Sequence, residues 1–553
     1  MGQFWAERAN HPALFLVIIG VLVFLAVNAW LILTVPPNTS DSLSTHLARV
    51  IHWIQNDSFR PWDAKIPWQV IYPFNTQLQY LKIILFTTSD KLVGFVQYVA
   101  ALISFLAAYR LGLFLSASRS RSLFAALIWL TFPEIIMQTT STQNDLVLAS
   151  FFTCSILFLF LGIIERSDMY LVLSGLSFGL AMGTKQTILF LLPGMTLAFI
   201  FLLFKYKKPV IRQLFKWGLA SLASFILLGS YIYIQNTIFF HSPAGPGEDV
   251  EEQVNEFSLQ AISQELPVNI SRLVYQSIDP SGLPGELPGY MQKFKAKIVE
   301  FVGLKDWMES DIGAVKVFNL RDLPATHEDS AWFGLTSVLL LFPALIYQLI
   351  MGIKRKDPYP LGLISIAVGF LIFDAMLRPG WAPYQGRYFV TAATVAVPLI
   401  SGFNLDSKWG KRVAWFGAIL ALIIGSTMIL KNESKALIGQ RAIWGKDRIE
   451  MQLVNSPRSS AEILKFADKY LPEGVTFAVR KLPLFYEYIL IGNERNRKIV
   501  WLPENDAVFD RQWLIDQGIE FLLLDDTQYL PTKMPSWIIP FESRHAWTIY
   551  AVE

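Results

Sequence analysis

The chain has a single cysteine, Cys154, and it lies inside an apolar run. That excludes an internal disulfide and any cysteine-built metal centre. Charge is also scarce: Asp, Glu, Lys and Arg make up 16% of 553 residues and the formal net charge is +3. A balance so close to neutral, with basic residues dispersed in short loops, argues against a nucleic-acid partner. No Walker loop, GxGxxG, HExxH, internal repeat or low-complexity tract occurs, which removes the usual nucleotide-binding and zincin readings. What is abundant is apolar surface. The composition is 53% hydrophobic and 14% aromatic, and mean hydropathy is +0.40. These values lie outside the soluble globular range and indicate a polytopic α-helical membrane protein.

Eleven stretches approach bilayer-crossing length, at 14–35, 91–115, 122–139, 145–164, 169–184, 187–204, 217–239, 331–352, 360–377, 388–404 and 412–430. The first is too long for a signal peptide and no small-residue cleavage site precedes Pro36, so it is read as retained. With the N-terminus cytoplasmic, the loops holding Arg119 and Arg121, then Lys205 to Lys216, Lys354 to Lys356, and Lys408 to Arg412 all fall inside. The segments 36–90, 140–144, 240–330 and 378–387 and the C-terminus then fall outside. The expected organisation is a transmembrane domain over 1–430, a linker at 431–457 and an extracytoplasmic α/β domain at 458–553.

In that last part, Ser459 to Tyr470 reads as a helix, and TFAVR, KIVWL and EFLLLDD read as short strands. Asp525 and Asp526 at a strand end suit either a cation or, more commonly, solvent. The 240–330 loop carries HSPAGPGEDVEEQ and amphipathic stretches at Ile270–Ile278 and Met291–Val302. A loop that long suggests acceptor recognition or a lid.

The outer segments hold the chemically active side chains. Asn38 to Trp62 places Leu43, Leu47, Val50, Ile51 and Ile54 on one helical arc and Asp41, Thr45, Arg49 and His52 on the opposite one. Asp41 sits behind the plausible caps Thr39 and Ser40, where a helix dipole keeps a carboxylate ionised; it is a candidate base or simply a second cap. Asp145 opens an apolar helix after the polar turn Ser141 to Asn144, with the same alternatives. Glu134 lies deeper, toward the outer end of the third span, where a carboxylate is costly unless it meets a cavity or partner. Lys185 and Arg387 are cations away from the positive-inside loops; each alone suits snorkelling. Together with His46, Arg49, Asp41 and Asp145 on one side, they suit an anionic phosphate ligand with a base nearby.

DSLSTHLARVIHWIQN after the first span, then TSTQNDLVLASFF, GLAMGTKQT and GWAPYQGRYF, resemble the polyprenyl-phosphate-sugar-dependent glycosyltransferases of the GT-C class. The similar branch is that of the bacterial protein O-mannosyltransferase-like enzymes, relatives of aminoarabinose transferase. The resemblance implies a GT-C fold with a C-terminal extracytoplasmic domain in a bacterial cytoplasmic membrane. It implies Asp41 as catalytic base, Asp145 as the second acid, and Arg49, Lys185 and Arg387 as donor-phosphate candidates, with His46, Glu134 and Asn144 in support. One departure is the segment IYPFNTQLQY, which has no lysine before Lys82 where aminoarabinose transferase carries one.

The implied partners are a polyprenyl-phosphate sugar and a lipid, glycan or protein acceptor. No cofactor is required; a divalent metal at Asp41 and Asp145 is compatible but not demanded. Such a donor is already activated, so positioning, a base and cations for the leaving phosphate suffice for inverting displacement. The competing readings are a lipid or lipid-linked-sugar flippase, which would gather polar groups near the midplane, and a membrane scaffold. The sequons at Asn38, Asn56, Asn269 and Asn432 matter only in a secretory-pathway host.

Overall fold

The computed structural model describes residues 11–116, 118–248, 258–323, 325–378, 380–405, 407–492, 494–503, 510–527 and 534–553. The acidic part of the long loop, at 249–257, lies outside them. The chain forms two compact units: Met1–Thr34, Pro73–Thr76 and Gly94–Ala442 in the first, and Val35–Tyr72, Gln77–Val93 and Ile443–Glu553 in the second.

The first unit is helical. Among the described residues eight helices are long and apolar enough to cross a membrane: Pro12–Thr34, Phe95–Ser116, Asp145–Ile164, Gln186–Tyr206, Lys208–Leu228, Gly334–Arg355, Pro358–Leu377 and Lys408–Lys431. Asp168–Met182 is apolar but shorter. Three of the eleven expected spans are broken. The stretch 217–239 parts at Gly229 and Ser230 into the end of Lys208–Leu228 and the separate helix Tyr231–Phe240. In the other two the reasons are local. The stretch 122–139 divides into Arg119–Leu130 and Pro133–Gln138, because Phe132 before Pro133 is forced into an extended conformation. The stretch 388–404 becomes a 3-10 turn at Pro383–Phe389, a short helix at Val390–Ala396 and a second 3-10 turn at Val397–Gly402 that begins around Pro398. Residues 390–400 are nonetheless buried throughout.

Small residues let the helices approach closely. A Cβ on Gly194 would collide with the Ser365 carbonyl, and one on Gly369 would press on Gly194. The helices Leu192–Tyr206 and Pro358–Leu377 therefore pack backbone to backbone. Asn28, in the first span, donates from Nδ2 to the Ile136 carbonyl at 2.8 Å and to Thr139 Oγ1 at 2.6 Å. That pins the first span to the Pro133–Gln138 segment and satisfies an amide that would otherwise be costly in lipid.

The second unit contains a five-stranded sheet in the order β2-β1-β3-β5-β4. Its strands are β1 Thr476–Val479, β2 Lys498–Trp501, β3 Phe521–Asp525, β4 Ile538–Arg544 and β5 Trp547–Val552. β1 runs parallel to β2 and β3, while β5 is antiparallel to β3 and β4. One core cluster comprises Ala478, Leu502, Leu514, Ile519, Leu522, Leu524, Ile538 and Tyr550. The three expected strands are present, and the β4–β5 hairpin is an addition to them.

The first loop packs with this sheet unit. Asn38 Nδ2 donates to the Met451 carbonyl at 3.2 Å, Gln55 Nε2 to the Arg497 carbonyl at 2.8 Å, and His52 Nε2 meets Glu487 Oε2 at 2.9 Å.

Candidate functional site: a cation cradle and a capped loop helix

In the first unit, three cations from three separate elements converge on one aromatic ring. Lys185 Nζ lies 4.8 Å, Arg387 Cζ 5.1 Å and Arg378 Cζ 3.7 Å from the centroid of Tyr388. Lys185 ends the extended residue before the 3-10 turn Gln186–Leu191. Arg378 follows the Pro358–Leu377 helix, and Arg387 and Tyr388 lie in the turn Pro383–Phe389. All three cations are mostly buried and each has its own acid. Lys185 binds Asp145 at 2.5 Å, Arg378 Nε binds Asp374 at 2.5 Å, and Arg387 Nη1 binds Asp329 at 3.2 Å. Arg387 Nη2 also donates to the Tyr388 hydroxyl at 3.3 Å.

Behind the cations stands a chain of amides. Gln97 donates to Gln138 Oε1 at 2.8 Å and accepts from the Val147 amide at 3.1 Å. Gln138 Nε2 in turn reaches Glu134 Oε1 at 2.9 Å and Asp145 Oδ2 at 3.4 Å. Glu134 is fully buried, and its Oε2 has no hydrogen-bond partner among the described residues. Asn144 is buried and donates to the Thr184 carbonyl at 3.4 Å, fixing the turn that presents Asp145 against the one that presents Lys185. Nearby in sequence to Asp329, Glu328 forms a buried ion pair with Lys435. Burial alone would raise the Glu328 carboxyl, but the Lys435 ammonium outweighs it and holds the group down at about 2.

The structure therefore brings Asp145, Lys185, Arg387, Glu134 and Asn144 into one unit. Sequence reasoning missed Arg378, Tyr388, Asp329 and Asp374. The signal for Arg378 was available: like Arg387 it is a cation at a span end outside the positive-inside loops.

The first-loop candidates Asp41, His46 and Arg49 belong to the second unit. Ser42–His46 forms a π-helical turn leading into the helix Leu47–Gln55. The Thr39 hydroxyl accepts from the Ser42 amide at 3.3 Å, the expected cap. Asp41 follows in the first turn and is half-buried.

Both arcs of this helix, the apolar one and the chemical one, are enclosed. Residues 42–53 are buried all round, because the polar residues have partners within the unit. His46 Nδ1 meets Gln77 Nε2 at 2.5 Å, and His52 stacks on Trp62 at 4.7 Å besides binding Glu487.

Arg49, the phosphate candidate of this loop, is buried and tied to the chain that follows it. Its guanidinium donates to the backbone carbonyls of Gln69, of Tyr72 at 3.0 Å and of Trp68 at 2.7 Å. It closes the loop on itself. Burial pushes the Arg49 guanidinium down to about 9.

Among the described residues no group of three or more His, Cys, Asp or Glu side chains is placed to hold a metal ion. Asp526 accepts from Thr548 at 2.6 Å and Tyr550 at 2.8 Å, and Asp525 from the Thr527 hydroxyl at 2.7 Å, so these acids tie the strand end.

The helical architecture has close counterparts. The structure of ArnT from Cupriavidus metallidurans bound to undecaprenyl phosphate superposes with a TM-score of 0.57 at 13% identity, covering 97% of each chain. Its apo form superposes at 0.56 and 12% identity, with the same coverage. The chain thus shares its fold with ArnT. Residues 73–233 also match the dolichyl-phosphate-mannose-protein mannosyltransferase family. No curated protein matches the sequence closely enough to serve as a relative. A matched fold and a matched family segment thus support the expectation of a membrane glycosyltransferase of this class, within a multi-pass chain.

Proposed function

We propose that the chain transfers a sugar from a polyprenyl-phosphate donor to an acceptor hydroxyl or amine at the outer face of the membrane. The observation that carries this reading is the cradle of Lys185, Arg378 and Arg387 around Tyr388. A phosphate entering there competes with Asp145, Asp374 and Asp329 for cations that are already desolvated and oriented. Guanidinium forks suit phosphate oxygens, and preorganised charge at a leaving phosphate stabilises the transition state without reorganisation. The fold likeness to a protein solved with undecaprenyl phosphate supports the donor class.

In this reading the phosphate leaves as an anion held by the cradle while the acceptor attacks the anomeric carbon in line, with inversion. Asp41 is retained as the proposed base on the resemblance of its loop alone, and its test is independent of the cradle. Asp145 holds the Lys185 side chain in place through their contact at 2.5 Å. The test is a reconstituted assay with undecaprenyl-phosphate-linked sugars. Release of undecaprenyl phosphate coupled to acceptor glycosylation supports the proposal; lipid translocation without bond cleavage contradicts it.

A further inference from the structure

The helix Leu287–Phe301, in the long loop, has its polarity inverted. The face turned into the protein carries Gln292, Lys295 and Ala296. Gln292 Nε2 donates to the carbonyls of Leu320 and Asp322, both at 2.8 Å. Lys295 Nζ donates to the Ile278 carbonyl at 2.5 Å and lies 4.2 Å over the Tyr275 ring. The opposite face is apolar and open: Leu287, Tyr290 at 67% exposure, Phe294 at 66%, Ile298, Phe301 at 93% and Val302. At helical spacing these six fill an arc of roughly 120°. Lys293 and Lys297, both exposed, lie along one edge of it. A helix facing water would be built the other way round, and six large apolar groups in one stripe are not the scatter of an ordinary surface.

We infer that this helix is seated in the membrane interface, with Tyr290, Phe294, Ile298 and Phe301 among the acyl chains and Lys293 and Lys297 at the headgroup phosphates. The occupant of the face is the lipid surface. The chain on either side supports this: the loop is bounded by the apolar helices Tyr231–Phe240 and Gly334–Arg355, so it emerges at a membrane boundary. An apolar stripe edged by lysines is the composition of an in-plane interfacial helix. The inference rests on the chain spanning a bilayer and not on sugar transfer, so accessibility and transfer activity fail separately.

The test is nitroxide labelling of Phe294→Cys and, separately, Phe301→Cys in a Cys154→Ser background. The protein is reconstituted at one copy per nanodisc in phosphatidylcholine with phosphatidylglycerol. The ratio of collision with oxygen to collision with a water-soluble nickel chelate is compared with that of Arg458→Cys, whose side chain is 94% exposed in the sheet unit. A ratio about tenfold higher at both positions is expected for residues immersed in the acyl region. A ratio equal to that at position 458 overturns the inference. Shielding seen in crowded detergent but lost in single-copy discs also overturns it, assigning the face to a second copy. If one variant fails to fold, the other position gives the same reading.

Discussion

The Arg378 guanidinium lies 3.7 Å over the centre of the Tyr388 ring while its Nε is held by Asp374 at 2.5 Å. A planar cation fixed on one edge by a carboxylate and on one face by a ring has little freedom left, and Asp374 is itself held by Gln385 at 3.1 Å. The stacking is a property of the guanidinium plane that an ammonium does not share. Arg378→Lys is therefore expected to weaken undecaprenyl-phosphate binding about tenfold even though charge is kept. Tyr388→Phe, which keeps the ring and loses only the hydroxyl, should retain most of the affinity, and Tyr388→Leu should not. Equal affinities for the Phe and Leu variants would remove the ring from the account.

Arg49 gives the opposite expectation. Its donors serve three carbonyls between Trp68 and Tyr72. Arg49→Lys should leave two of those buried carbonyls without partners and cost about 2–4 kcal/mol of stability. A thermal unfolding scan checks this. A loss of donor affinity with unchanged melting would return Arg49 to the phosphate.

The buried pair Glu328–Lys435 makes a pH-dependent prediction. Glu328 is depressed from 4.5 to about 2 in the folded chain. Its contribution to stability is thus present above the unfolded value and lost as pH falls from about 4.5 through about 2. Lys435→Met should destabilise the protein at pH 7 by about 3–5 kcal/mol, because it leaves a buried charge without its cation. Acidification from pH 7 to 5 should then restore part of the lost stability in the variant, a slope the wild-type pair does not contribute over that range because its own contribution is constant above about 4.5. An unchanged slope would show that Lys435 does not hold the carboxylate down.

Asp41 is tested by Asp41→Asn, which keeps size and the capacity to cap. As a base, its loss should lower turnover about 10²-fold or more while folding and donor binding persist. Near-normal turnover would reduce Asp41 to a first-turn acid of its loop helix.

Much of this architecture was readable from hydropathy and charge. Seven of the eight helices of spanning length fall on expected stretches because a long apolar run has few other fates in water or lipid. What failed were the stretches at 122–139, 217–239 and 388–404, where Pro133, the Gly229–Ser230 junction, and Pro383 with Pro398 interrupt the helix and hydropathy averages across the break. In the cradle, Lys185 and Arg387 stood out as cations in the wrong loops. Arg378 carried the same signal, but its partner Tyr388 carried none, since the contact between them depends on a turn that brings residues ten apart onto one another. For Arg49, helical periodicity gives the polar arc, but a polar arc does not reveal that a neighbouring segment folds back to bury it. The inverted helix Leu287–Phe301 was visible as amphipathic; which face turns inward was decided only by Gln292 and Lys295 finding carbonyls.

The central claim is that Lys185, Arg378 and Arg387 receive the donor phosphate, and native mass spectrometry with undecaprenyl phosphate tests it most directly. The comparison is between the wild-type protein, Arg387→Ala, Arg387→Lys and the double variant Arg378→Gln/Arg387→Gln, each verified as folded. The account predicts that the double variant loses lipid binding by about 10²-fold, and that Arg387→Ala loses more than Arg387→Lys. Undiminished binding by the folded double variant would contradict it.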